Sequence, residues 1–514
     1  MIHQRPSSPP TPGLGGRASQ ARLTLALTLL CGACGSAEPA RPNIILVTMD
    51  TTRADALGTY GAELPTPCFD TLAQEGARFD LALSASAVTP VSHASILTGL
   101  YPYQHGLRVL SAHSGFRLDA DLPTVATRLQ AEGYRTGAVH SAFPVSAYFG
   151  FDEGFDVFES FDSVMRRGEL GDSWDTQKFQ RRSDHTTDLA LDFIEGGDGP
   201  YFLWIHYWDP HDPALTPPPE LIPPGLPRSP EGRLGGSIPL YLAEVRYVDS
   251  QFARIVETLQ DRGEYDQTLL VITADHGEGL GEHGWWAHRL LYQEQIRVPL
   301  IVRAPRATSA PVTGGLMTGG PGGGVAELVR TIDIAPTILD YARSPFAGST
   351  EGRSLRPYLE GLPRKPRTAY ADQINGYDHN ARMLEKRPND DLLYMVSDGR
   401  HKLTWRPTHP ELSELYDISS DPKEADNIFL QRPDIAGPLL VDLAERRPWV
   451  VRPFPEAGET SDDASAILQG LGYAGGAADT PEEWLWTCPA HRETLYEVFE
   501  PCPRCGGAPL PVAK

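Results

Sequence analysis

From Pro42 onward, short β-branched runs alternate with segments of helical periodicity, and this alternation restricts the chain to parallel strands joined by helical crossovers. The best strands read Asn43 to Thr48, Phe202 to His206, Leu269 to Thr273 and Leu300 to Val302. Between the second and third, Tyr241, Val245, Val248, Phe252, Ile255 and Leu259 recur at steps of four and three residues. That is the stripe of an amphipathic helix, closed by Gly263 and read as core packing. The pattern predicts an α/β fold with a central, mostly parallel sheet and helices on both faces. Stretches rich in proline and glycine, Pro210 to Pro230 and Thr313 to Gly324, read as surface loops.

Both ends depart from that pattern. Arg17 and Arg22 precede an apolar run from Leu23 to Leu30 that leads into Cys31-Gly32-Ala33-Cys34-Gly35-Ser36. The run is too short to span a bilayer, so residues 1–40 are expected to be an export signal and linker, with the product periplasmic or on the outer surface. Cys34 is a candidate for lipidation and membrane attachment; cleavage near Ala37 or Ala40 is the alternative. Residues 41–385 are expected to form the catalytic domain and 386–475 a small α+β subdomain. In the tail, residues 484–514, Cys488 and His491 form CxxH, and ten residues later Cys502 and Cys505 form CxxC. This is the spacing of a tetrahedral structural zinc site, with a Cys502–Cys505 disulfide as the rival. The remaining cysteine, Cys68, reads as a small buried hydrophobe.

Charge narrows the function. The chain carries 45 basic against 67 acidic side chains, a formal charge of −22, which argues against nucleic acid as a partner. Such a surface offers no attraction to an anionic ester either, so a site for one needs a metal cation. Polar residues just after strands are the first candidates in an open parallel sheet. Asp50 ends NIILVTMD, and Asp275-His276 follow LLVITA.

Here the sequence resembles the sulfatase family of the alkaline-phosphatase-like superfamily. RPNIILVTMDTTRADALGTYG is similar to its opening, whose strand-end aspartate binds metal, and ITADHGEGLGEHGWWAHRLLYQEQIRVPLIV to its DHGE metal signature. TPVSHASILTGLYPYQHGL resembles the nucleophile segment CxPSRxxLLTG, and alignment on Leu97-Thr98-Gly99 puts Thr89 in the nucleophile position. ELYDISSDPKEADN resembles the family's small subdomain, and the tail is similar to short heavy-metal-binding segments. Several positions depart from the family. Thr89 replaces the cysteine or serine that becomes formylglycine, His93 stands at the motif arginine, and Thr51 at a second metal-binding aspartate of many sulfatases. AVHSAF, Ala138 to Phe143, replaces the GKWHLG segment that supplies a lysine and a histidine to the sulfate group. Threonine with this acid and histidine set resembles instead lipoteichoic acid synthases and phosphoethanolamine transferases.

The expected function is a metal-dependent hydrolase of sulfuric or phosphoric esters. One divalent cation, calcium, manganese or zinc, would sit on Asp50, Thr89, Asp275 and His276 and activate the Thr89 hydroxyl. Thr89 before Pro90 also fits a plain helix cap. His93 belongs to the catalytic set. The resemblance makes His211 a substrate-binding residue able to protonate the leaving oxygen, and His288 the counterpart of a sulfatase lysine. His206 is a candidate for a second metal. The substrate is expected to be a small-molecule, glycan or lipid-headgroup ester. Threonine favours phosphate, and the whole-chain resemblance favours sulfate. A phosphotransferase passing the group to an acceptor alcohol is the alternative, and a non-catalytic binding protein is the third reading.

Overall fold

The computed structural model describes residues 41–110, 117–159, 180–226 except 214, 237–306, 324–344, 350–446 except 363, 377, 379 and 380, residue 448, and strands Trp484–Cys488, His491–Tyr496 and Leu510–Ala513. The leader with Cys34, most of the 313–324 tract, the linker near 456–480, and Cys502 and Cys505 lie outside the described residues.

Seven strands form the main sheet: β1 (Asn43–Met49), β2 (Ala77–Arg78), β3 (Arg135–His140), β4 (Val157–Glu159), β5 (Tyr201–Tyr207), β6 (Thr268–Ala274) and β7 (Leu300–Arg303). Their order is β2-β7-β6-β1-β5-β3-β4, with β6, β1, β5, β3 and β4 mutually parallel and β7 antiparallel beside β6. Each predicted strand is present and extends by a residue or two. Alternate residues of β1 enter different cores. Ile44 and Leu46 pack with Phe202, Trp204 and helices α1 (Thr89–Thr98) and α3 (Ile334–Ala342). Ile45, Val47 and Met49 pack with Leu203, Ile205 and the long helix α2 (Ile238–Asp261).

The predicted stripe of α2 is wholly buried in that second core. Ser237 caps the helix by accepting from the Leu240 N–H at 3.4 Å, and Gly263 leaves it with φ of +68°. Burial of each large apolar side chain contributes about 1.5–3 kcal/mol, so α2 is held by packing rather than propensity. Cys68 is half-buried against the same core, and burial pushes its thiol up.

The small subdomain is a four-stranded antiparallel sheet, Ala369–Gln373, Leu393–Ser397, His401–Trp405 and Glu414–Asp417, with helix Pro433–Arg446 against it. Its first strand lies before residue 386, where the sequence pattern changes. AYADQ carries no alternation because every residue of it is buried, and Asp372 forms a buried ion pair with Arg108 at 2.6 Å. The sheet is thereby fastened to the main domain. In the tail, Trp484–Cys488 pairs with both neighbouring strands, and Cys488 stands opposite His491 in the backbone register. Among the described residues no helix is long and apolar enough to cross a membrane.

Candidate active site at the carboxyl ends of the central strands

β1 delivers Asp50 to the rim. Its N–H donates to the Tyr207 carbonyl at 2.8 Å, and Thr51 then turns the chain with φ of +48°, a left-handed conformation uncommon for threonine. Tyr241 holds this turn. Its hydroxyl accepts from the Arg53 N–H and donates to the Thr51 carbonyl, both at 2.9 Å. Its position in a periodic stripe signals packing only, and the role of its polar tip emerges from the fold. β6 delivers the second half of the site. Asp275 Oδ1 accepts from the N–H groups of Thr51 at 3.2 Å and His276 at 2.8 Å. His276 donates its Nδ1–H to the Gly277 carbonyl at 2.9 Å, which fixes the tautomer and turns the Nε2 lone pair toward Thr89.

Asp50, Asp275 and His276 are fully buried, and one ligand atom from each lies within 4.8 Å of the others. Asp50 Oδ1 and Asp275 Oδ2 have no hydrogen-bond partner, although buried polar atoms are rarely left unpaired. Burial raises the Asp50 carboxyl well above the usual range, and burial plus the neighbouring Asp50 does the same to Asp275. Burial pushes His276 down to about 4, so it stays a neutral imidazole. Two orphaned carboxyl oxygens and one aimed imidazole lone pair form a donor set that suits a divalent cation, whose charge offsets the cost of burying both carboxylates.

The nucleophile candidate arrives on α1, a helix buried on every side that begins at Thr89 with Pro90 in its first turn. Val88, not Thr89, occupies the cap position. The Thr89 hydroxyl lies 3.3 Å from His276 Nε2 instead. At the other end Gly99 is left-handed, φ +69°, and a Cβ there would meet Thr350 Oγ1 at 2.7 Å.

His93 stands behind the nucleophile. Its Nδ1–H donates to the Thr89 carbonyl at 2.8 Å, and its Nε2 accepts from the Thr48 hydroxyl at 3.0 Å. Burial holds it well below its ordinary pKa, so a neutral ring occupies the family's arginine position. His206 donates from Nε2 to Asp50 Oδ2 at 3.2 Å and accepts from the Ser141 N–H at Nδ1, 3.4 Å away. It therefore orients a carboxylate rather than reaching outward for a second metal. His140, its register partner on β3, is likewise held neutral by burial.

His211 and His288 reach the same place from other loops. His211 stacks on Trp208 with ring centres 3.8 Å apart, and His288 lies 4.6 Å from the His276 ring and 5.6 Å from that of His211. Desolvation lowers His211 to about 3 and His288 well below its usual range, so both meet a ligand uncharged. His288 gives its Nδ1–H to the Ala87 carbonyl at 2.8 Å. His283 turns away, stacked on Tyr292 at 3.7 Å and paired with Glu294 at 2.9 Å. A cleft of about 540 Å³ is lined by His211 and His288 together with Glu244, Glu278, Trp286 and Arg289. Glu278 sits inside the DHGE signature, a signal that could have placed it at the site; the other three carry none. The Cys488 and His491 pair lies on the tail sheet, away from these strand ends in sequence and in sheet.

Comparison with known proteins agrees with this architecture. The sulfatase family model matches residues 42–344, and a model described as N-sulphoglucosamine sulphohydrolase, C-terminal, matches 281–440. An N-acetylglucosamine-6-O-sulfatase from Bacteroides thetaiotaomicron is 26% identical, covering 76% of this chain and 83% of the relative. An arylsulfatase from Clostridium perfringens is 25% identical, covering 84% of this chain and 98% of the relative. The fold is also that of the phosphonate monoester hydrolase of Agrobacterium radiobacter, with a TM-score of 0.59 at 22% identity over 79% of this chain and 94% of that one. With the family model spanning well over half of the 514 residues, and strand-end acids where its fold gathers ligands, the chain belongs to the sulfatase family, whose members are ester hydrolases with an alkaline-phosphatase-like fold.

Proposed function

We propose that this chain is a metal-dependent hydrolase of sulfuric or phosphoric esters in which Thr89 is the nucleophile and one divalent cation is held by Asp50, Thr89, Asp275 and His276. The observation that carries this reading is the Thr89 hydroxyl, 3.3 Å from His276 Nε2 at the start of a buried helix and beside two carboxylates with unpartnered oxygens. When bound, the cation lowers the pKa of the threonine hydroxyl and balances charge on the ester oxygens. The Thr89 oxygen bonds to phosphorus or sulfur while the bond to the alcohol oxygen breaks. The alcohol leaves with one proton, matching the one the hydroxyl gives up. Water then displaces Thr89 and restores its hydroxyl. In this reading His211 hydrogen-bonds the leaving oxygen and His288, whose Nδ1–H goes to the Ala87 carbonyl, the incoming water; their shared lining of the cleft supports it.

Threonine cannot be oxidised to the aldehyde that a cysteine or serine yields, so the aldehyde-hydrate route is closed and phosphorus chemistry gains weight. Neutral His93 and His140 at the family's arginine and lysine segments point the same way, because they remove charge that a sulfatase uses. The sulfatase relatives support sulfate. A parallel assay of aryl sulfate, phosphate monoester and phosphodiester with the metal-loaded chain tests the choice: preference for a phosphorus ester is expected, and turnover of sulfate alone would reverse it. Export of the product, supported by the apolar run Leu23 to Leu30, and zinc in the tail, supported by the opposed Cys488 and His491, belong to the same proposal.

A further inference from the structure

The cleft lined by His211 and His288 also carries side chains of opposite charge. It is lined by Glu244, from the first turns of α2, with Asp209 and Asp212 as its electrostatic neighbours. The same cleft is lined by Arg289, Lys386 and Arg387, of which Arg289 is paired with Asp378 and Arg387 with Asp390. Glu244 is 2% exposed, yet its Oε1 has no hydrogen-bond partner among the described residues, and Asp209 Oδ2 has none either. A buried carboxyl whose described charged neighbours are acids costs stability unless something positive meets it. Burial and the two aspartates hold Glu244 well above the usual carboxylate range, as expected for a carboxyl that meets no counter-charge among the described residues. At the mouth of the same cleft Trp286 is 63% exposed, an unusual position for an indole and a suitable face for a cation.

We propose that the cleft selects esters whose alcohol portion carries an ammonium group, with Glu244 and the Trp286 indole receiving that group while the ester lies toward His211, His288 and the basic side chains. The substrate is then a zwitterion, an amino-alcohol or amino-sugar ester. This inference rests on the ester-hydrolase reading for its site but not for its test.

The probes are the sulfate and phosphate esters of trimethylammonium ethanol and of its carbon isostere, tert-butyl ethanol, which share a shape and differ by one charge. Calorimetric binding to the full-length, metal-loaded Thr89→Ala chain is expected to favour the cationic member by about tenfold or more. Adding Glu244→Gln is expected to erase that difference, and the exposed Trp286→Ala, which carries no folding risk, to reduce it. Equal affinities, no binding of either probe, or a preference that survives Glu244→Gln would overturn the proposal. Aryl-ester turnover by the wild-type chain is measured separately: its absence removes the hydrolase reading while leaving the binding preference to be judged alone.

Discussion

The loops after β1 and β6 leave carboxyl oxygens without partners, whereas His93 and His206, immediately behind them, have both ring nitrogens engaged. The first region is arranged for something the chain does not itself contain, and the second is a finished hydrogen-bond network whose neutral rings orient the first. His93 stands at the motif arginine of the family that the chain resembles, and AVHSAF replaces the segment that carries a lysine; neutral His93 and His140 bring no charge there. On the proposed reading a cation brings the positive charge that these histidines do not, and the histidine row orients its ligands.

The contrast breaks most easily at the metal. Removing divalent ions, or Asp275→Asn, is expected to lower ester turnover by about a thousandfold or more, recoverable in the first case by adding metal back. Turnover that survives chelation would place the charge elsewhere. A smaller effect is expected behind the ligands. His206→Phe removes the N–H that holds Asp50 Oδ2, so metal affinity measured by calorimetry should fall about 10–100-fold, with much of the turnover returning at saturating metal. His206→Gln, which can still donate, should recover part of that affinity; no change in either variant would reduce the histidine to filler.

Proton linkage separates the carboxylates from the histidines. Asp50 and Asp275 have raised pKa values in the metal-free chain and hold protons above their unfolded range, so a cation must displace those protons. Metal affinity should therefore rise with pH by up to about tenfold per pH unit for each proton released, levelling off once both carboxyls are ionised. His276, pushed down to about 4, is already neutral and releases none. Calorimetry in two buffers of different ionisation enthalpy reads the proton count, and a count of zero would mean the carboxyls are ionised before metal arrives. The smallest effect belongs to the anchor of the Asp50 turn. Tyr241→Phe deletes one hydroxyl serving Arg53 and Thr51, and should cost about 1–3 kcal/mol in urea unfolding with only a minor change in turnover.

Much of this arrangement is legible in the chain itself. The four strands and the α2 stripe follow from periodicity, and Asp50, Asp275 and His276 from where strands end, because those properties are local, whereas Thr89 is found only by resemblance to the family's nucleophile segment. What resists reading depends on neighbours brought from far away. His206 looks like an outward-facing strand residue until the pairing of β1 with β5 sets it against Asp50. Tyr241 has the spacing of a core residue, and only its ring behaves as one. Strand Ala369–Gln373 hides because both its faces are buried, which removes the alternation that marks an edge or half-exposed strand. Glu244 carries no local sign of its isolation, since that is a property of the acids facing it from another loop.

Covalent attachment of the transferred group to a threonine oxygen can be read by mass spectrometry of the metal-loaded chain quenched during turnover. A phosphoryl or sulfuryl group is expected on the peptide containing Thr89, and a Thr89→Ala chain is expected to bind metal but neither form the adduct nor turn over. Full turnover by Thr89→Ala with metal bound would exclude the threonine as nucleophile.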